Sequence, residues 1–147
     1  MSAWILPIWK TIHYVAIAVV VGVVALVDLR IFGIAKQLPL RPLQRLMRWA
    51  IAAFVVAAVS GYVLMRMNPA NSIMPLNAAF AAKLLCLVLI GLNDVLYVTT
   101  GLKRQVDGVA AGESASVSAR IVAGVSIVLW VGVVYWSRML SFLAGAI

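Results

Sequence analysis

Reactive and metal-binding side chains are scarce in this sequence. The 147 residues include one cysteine, one histidine and four acidic residues. The single Cys86 excludes an intrachain disulfide and a metal site built from cysteines. The sequence also lacks a glycine-rich phosphate loop, a histidine-rich metal motif and a nucleophile elbow. These absences argue against the chemistry of soluble enzymes and favour a chain without catalytic activity.

Hydrophobic residues, by contrast, make up 65% of the chain, and charged residues only 11%. Soluble domains carry about a quarter charged residues, so this composition indicates a membrane protein. A helix needs roughly 20 apolar residues to cross about 30 Å of hydrocarbon. Four such runs predict an all-α integral membrane domain over residues 1–147, folded as a four-helix up-down bundle. The predicted helices cover about residues 9–31, 48–67, 78–100 and 119–142.

Basic residues flank the predicted helices, and their distribution predicts the orientation of the chain. The net charge of +8 would favour nucleic acid in a soluble chain, but no soluble face carries it here. We therefore expect a lipid bilayer, and no nucleic acid, as the partner. The first and third connections with their adjacent helix ends hold Arg30, Lys36, Arg41, Arg45, Arg48, Lys103, Arg104 and Arg120. The opposite side holds Lys10, Arg66, Lys83 and Arg138. This imbalance predicts extracytoplasmic termini and a multi-pass protein of the bacterial inner membrane.

Two further patterns concern packing and the membrane surface. Arg41, Arg45 and Arg48 recur at helical spacing and predict an interfacial lead-in to the second helix, held against anionic head groups. Small residues repeat along three helices, as expected where backbones approach closely. They are Ala18 and Gly22, Ala53, Ala57 and Gly61, and Gly124 and Gly132. Such stripes fit packing within the chain, a protein partner or a homo-oligomer.

A first set of polar residues comes one from each helix, at a shared predicted level near the extracytoplasmic side. The set is His13, Arg66, Lys83 and Arg138. Each lies about 27 Å along its helix from the cytoplasmic end. The functional interpretation is a pocket for a cofactor such as haem or a quinone, because imidazole ligates iron and cations pair with carboxylates. The alternative is that the cations extend separately into the head groups and His13 is an ordinary interfacial histidine.

Any haem would be limited by the single histidine. A bis-histidine cytochrome needs two axial imidazoles, and the chain supplies one. Iron would have to be held by His13 alone, by His13 with a methionine, or by His13 from two copies of the chain. The candidate methionines are Met65, Met67 and Met139.

A second set of polar residues lies nearer the cytoplasmic side. It consists of Asp28 and Arg30 at the end of the first helix and Asn93 and Asp94 inside the third. A carboxylate at membrane depth needs a partner or a proton. We expect a structural ion pair for Asp94, with Arg30, Arg48, Lys103 or Arg104 as the cation in reach. A proton or ion path between Asp94 and Lys83 is the alternative.

Three segments resemble an uncharacterised family of small four-span bacterial inner-membrane proteins. They are residues 13–33, which close the first helix with residues 27–33, residues 77–93 including Lys83 and Asn93, and residues 119–138. The resemblance covers nearly the whole chain. Such proteins are distantly similar to b-type cytochromes and copper-resistance membrane bundles, with His13 at the place of the first-helix histidine. The resemblance implies a second histidine five residues after Asn93, where this chain has Val98.

These observations lead to three functional hypotheses. The preferred one is a non-catalytic inner-membrane subunit that accompanies a redox or energy-transducing complex and holds a hydrophobic cofactor at the first polar set. The second is a stand-alone electron carrier that binds haem or a quinone. The third is a small proton- or ion-coupled transporter that uses Asp94 and Lys83.

Overall fold

The computed structural model describes residues 4–67 and 77–145. These residues form helices joined by loops, and they contain no strand. The helices are α1 (Ile5–Phe32), α2 (Leu40–Arg45), α3 (Met47–Met67), α4 (Ala78–Thr99), α5 (Leu102–Asp107) and α6 (Val117–Gly145). Four segments are long and apolar enough to cross a membrane: Ile5–Phe32, Leu40–Met67, Ala78–Thr99 and Val117–Leu140. The prediction of an all-α chain with four helices long and apolar enough to span a membrane is confirmed for the described residues.

The ends of the long helices have local causes. Helix α1 begins at Ile5, four residues before the predicted start of its span. Pro7 is compatible with this start because it lies in the first turn, where a missing N–H costs no hydrogen bond. It ends at Gly33, whose φ of 121° suits glycine and whose N–H bonds to the Leu29 carbonyl. Helix α4 begins after Asn77, whose side chain accepts a hydrogen bond from the Ala79 N–H at 2.8 Å.

The first and third connections each contain a short helix, α2 and α5, and these two helices contact each other. Leu40, Leu43, Leu102 and Val106 are their buried residues. All four join one apolar cluster with Val27, Ile31, Ala115, Ala119 and Ala123 from the long helices and the third connection. We call this end of the molecule, which α2, α5 and the first and third connections form, the basic end. The predicted lead-in is helical, as α2, whereas α5 lacked a sequence signal because its apolar pattern covers only six residues.

The four long helices pack in the order α3, α1, α6, α4, so that α1 and α6 occupy the centre. In the up-down bundle predicted from the sequence, each span packs against the next span along the chain. That holds for α1 with α3 and for α4 with α6, but α3 and α4 share at most a marginal contact within the described residues. The ten residues between them can stretch to about 33 Å, so the connection does not force these helices together.

Glycines set the closest approaches between neighbouring helices. A Cβ on Gly61 of α3 would lie 2.9 Å from His13 Cε1, and a Cβ on Gly132 of α6 would lie 3.1 Å from Cys86 Sγ. Both positions therefore need glycine for the present packing. By contrast, Gly22 has nothing within 4 Å of its Cβ position. Gly22 thus faces away from the other described helices.

Arg30 connects the two loops of the basic end. Its side chain is fully buried, and it donates three hydrogen bonds to backbone carbonyls. Nε bonds to Leu38 O at 2.6 Å, and the two terminal nitrogens bond to Glu113 O and Ala110 O at 3.2 Å each. The expectation that Arg30 reaches Asp94 is wrong, because all three guanidinium nitrogens are directed to the first and third connections.

Candidate functional site

The imidazole of His13 is held in the interface between α1 and α3. Its side chain is half-buried, and Nδ1 lies 3.0 Å from the hydroxyl oxygen of Ser60, which is fully buried. Gly61 follows Ser60 and allows the ring to rest directly on the α3 backbone. His13 is therefore positioned by two residues of one neighbouring helix.

The hydrogen bonds of Ser60 favour one tautomer of His13. A serine hydroxyl has one proton, and Ser60 Oγ lies 2.7 Å from Val56 O and 3.1 Å from Ala57 O, so it donates to the α3 backbone. An Nδ1–H tautomer of His13, which donates to this hydroxyl, satisfies both groups. In that neutral tautomer the lone pair is at Nε2, the nitrogen available to a metal or to a hydroxyl donor.

The other three residues of the predicted pocket differ in how close they come to His13. Lys83 of α4 is half-buried and near enough to act on His13 electrostatically. Arg66 and Arg138 are exposed, and neither bonds to His13 in the described part of the chain. Lys83 is thus the only one of the three with an electrostatic influence on His13 among the described residues, and no hydrogen bond joins the two.

Ser60 was not recognised as a functional candidate from the sequence. A serine inside an apolar helix usually bonds to its own backbone, as Ser60 also does, and this common pattern gives no sign of a second role. The available signal was the pair Ser60-Gly61, a polar side chain beside a residue that permits close helix approach.

The second polar set is divided between the inside and the outside of the bundle. Asp28 points inward, where one carboxylate oxygen, Oδ2, is buried with no hydrogen-bond partner among the described residues. The buried Ser126 of α6 is its hydrogen-bonding neighbour, and Asp94 is near enough to repel it electrostatically. Asp28 is thus a carboxyl group in an apolar interior without a basic partner in the described chain.

Asn93 and Tyr97 of α4 have partners that tie this helix to its neighbours. Asn93 is buried and donates to the Val122 carbonyl of α6 at 3.2 Å. The Tyr97 hydroxyl accepts from Gln44 Nε2 of α2 at 2.7 Å. These contacts account for Asn93 as a structural group, since a buried amide that bonds to a neighbouring helix stabilises the packing.

Asp94 is exposed, and no cation of the described residues pairs with it, so the predicted ion pair is not found. We expect Asp94→Asn to change the free energy of unfolding by less than about 1 kcal/mol, because the substitution removes no partner. Breaking a buried ion pair would instead cost about 3–5 kcal/mol. Reversible unfolding in mixed micelles distinguishes an unpaired Asp94 from one in a buried ion pair. A loss of stability as large as that of a broken ion pair would show that Asp94 has a partner.

Within residues 4–67 and 77–145, no three His, Cys, Asp or Glu side chains come together as a metal site. A metal at His13 would therefore need ligands of another kind. Met65 is one candidate, because it lies one helical turn beyond Gly61 on the same face of α3. Nε2 of His13 and a thioether sulfur are a donor pair that suits haem iron.

Comparisons of the chain with protein-family models, with curated proteins and with solved structures find no match. The resemblance to small four-span inner-membrane proteins therefore stays a prediction. Any function has to be inferred from the residues of this chain alone.

Proposed function

We propose that this chain is a non-catalytic subunit of the bacterial inner membrane that holds a small hydrophobic redox cofactor at His13 and accompanies a redox or energy-transducing complex. The observation that carries the proposal is the hydrogen bond between His13 Nδ1 and Ser60 Oγ at 3.0 Å. It holds the ring against α3, where the Ala57 backbone is a further hydrogen-bonding neighbour, and in the Nδ1–H tautomer the lone pair is at Nε2. Histidines that ligate a metal typically donate their other ring N–H to an oxygen of the protein in this way.

Lys83 extends the site to a second helix. A quinone presents carbonyl oxygens, and its reduced form presents hydroxyl groups. A lysine ammonium donates to the former, and a free imidazole nitrogen accepts from the latter. His13 on α1 and Lys83 on α4 together supply one acceptor and one donor near the same level. This complementarity favours a quinone as the bound cofactor.

The second candidate is a stand-alone haem-binding electron carrier. It is favoured by the lone pair that the Nδ1–H tautomer of His13 has at Nε2, and by Met65, which lies one turn from Gly61 on α3. Histidine and methionine together are an established axial pair for haem iron. The two candidates share the same histidine and differ in the chemical identity of the cofactor.

Purification in a mild detergent, followed by visible spectroscopy, solvent extraction and mass spectrometry, separates the candidates. A quinone at about one per chain, together with co-purifying proteins, would support the subunit. Stoichiometric haem bands would favour the electron carrier. A colourless, solitary chain without extractable quinone would contradict both.

Two variants test the role assigned to the imidazole. His13→Ala should abolish cofactor binding, because it removes Nε2. Ser60→Ala keeps the imidazole but removes the hydrogen bond that holds its orientation and its tautomer. We therefore expect the cofactor to bind about 10-fold more weakly. Thr99→Val is the control, since Thr99 also bonds to its own helix, at Val95 O, but lies at the basic end. Equal binding by Ser60→Ala and Thr99→Val would exclude the proposed function of the hydrogen bond.

A further inference from the structure

A second site is formed between the two central helices, α1 and α6, and its lining on α1 begins about 12 Å and ends about 22 Å along that helix from His13. It is a partly open cavity of about 390 Å³. This volume is in the range of pockets that take small organic molecules, roughly 300–1,000 Å³. Its lining includes Val24, Ala25, Trp130, Val131 and Tyr135, and Asp28 is the one acidic residue among the lining side chains.

The walls define what kind of molecule fits the cavity. Aliphatic side chains and two aromatic residues favour a hydrophobic ligand, because a polar group against these walls would have no hydrogen-bond partner. Trp130 is partly buried against the cluster of Val20, Val24 and Ala50, which anchors this wall in the bundle. The rings of Trp130 and Tyr135 additionally suit a positively charged ligand, since the face of an aromatic ring attracts cations.

Asp28 specifies the charge of that ligand. Its Oδ2 is buried without a hydrogen-bond partner in the described chain. The basic residue nearest in sequence, Arg30, directs its three nitrogens to backbone carbonyls. An unpaired carboxylate in an apolar interior is costly, and a cationic ligand would supply the missing partner.

We propose that the cavity between α1 and α6 binds a lipophilic organic cation, with Asp28 as its counter-charge. The apolar walls contact the hydrocarbon part of the ligand. The Asp28 carboxylate pairs with its positive charge at the end of the cavity nearer the basic end. A neutral molecule of the same shape gains only the apolar contacts and binds more weakly.

Equilibrium dialysis of the full-length protein in detergent, with radiolabelled tetraphenylphosphonium as the probe, tests this site. We expect saturable binding, at least about 10-fold weaker in Asp28→Asn, because the carboxylate is the only charged group that lines the cavity. Asp94→Asn is the matched control, since Asp94 is not in the lining, and it should stay within about threefold of the unmodified chain. Triphenylphosphine oxide, which is uncharged, should compete poorly.

A second variant keeps the test decisive if Asp28→Asn fails to fold. Ala25→Leu fills the cavity from the α1 side, leaves the carboxylate intact and should also weaken binding of the probe. Equal binding by Ala25→Leu and the unmodified chain would overturn the proposal, as would equal competition by the neutral compound. Binding that is saturable but indifferent to charge would also overturn it and would identify the cavity as a site for lipid acyl chains. None of these results depends on the His13 cofactor.

Discussion

Replacing Arg30 by methionine should lower the free energy of unfolding by about 2–4 kcal/mol, the largest stability loss expected for a side chain in this protein. Arg30 is fully buried and donates three hydrogen bonds to backbone carbonyls of the first and third connections. Hydrogen bonds from a charged group contribute about 1.5–3 kcal/mol each. The sum is discounted because Leu38, Ala110 and Glu113 are exposed residues, whose carbonyls can regain water.

The measurement is reversible unfolding in mixed micelles, followed by circular dichroism. Arg48→Met is the matched control, since Arg48 is exposed and bonds to the Arg45 carbonyl in the adjacent turn. Arg30→Lys should recover the smaller part of the loss, because one ammonium group cannot reproduce the fork of a guanidinium that bonds to three carbonyls. If Arg30→Met were as stable as Arg48→Met, the three hydrogen bonds would contribute nothing to the fold.

The same substitution should also loosen the two connections locally. The Gly112 N–H donates to the Lys36 carbonyl at 2.8 Å, so the first and third loops are joined by their backbones as well as by Arg30. Without the guanidinium, we expect faster hydrogen exchange at the Gly112 N–H while the central helices keep their protection. Unchanged exchange there would show that the apolar cluster of the basic end holds the loops without Arg30.

The four helices could be predicted from the sequence because membrane spans have a strong signal. Runs of about 20 apolar residues are rare outside membrane helices, and their ends are marked by charges, prolines and glycines. The packing order could not be predicted in the same way. Whether α3 contacts α4 depends on the side chains of all four helices together, and hydrophobicity along one helix carries no information on its neighbours in a bundle.

The candidate site could likewise be predicted only in part. Residue types that are rare in the sequence stood out, whereas contacts between common residues did not. His13 stood out because it is the only histidine and lies in an apolar run. Its partner Ser60 and the three acceptors of Arg30 did not, because backbone carbonyls and helical serines are present throughout the chain and have no sequence signature. Asp94 was singled out for its depth, yet its direction around α4 decides its role, and it is exposed.

The second large effect is expected at Gly61, where leucine should lower the free energy of unfolding by about 1–3 kcal/mol and abolish cofactor binding at His13. A Cβ at this position would lie 2.9 Å from His13 Cε1 and 3.5 Å from Nδ1. The imidazole cannot move aside without losing Ser60, so α1 and α3 must separate. Gly22→Leu is the control, because nothing lies within 4 Å of its Cβ position and leucine is the better helix former.

A double-mutant cycle shows whether the clash involves the imidazole itself. In a background of His13→Ala, the ring is absent, and Gly61→Leu should lose less stability than it does alone, with a coupling of at least about 1 kcal/mol. Additive losses would mean that leucine disturbs the interface elsewhere and that Gly61 is needed for backbone approach only. A coupled result would instead establish Gly61 as the residue that makes room for His13, so that the close approach of α1 and α3 and the position of the imidazole have one cause.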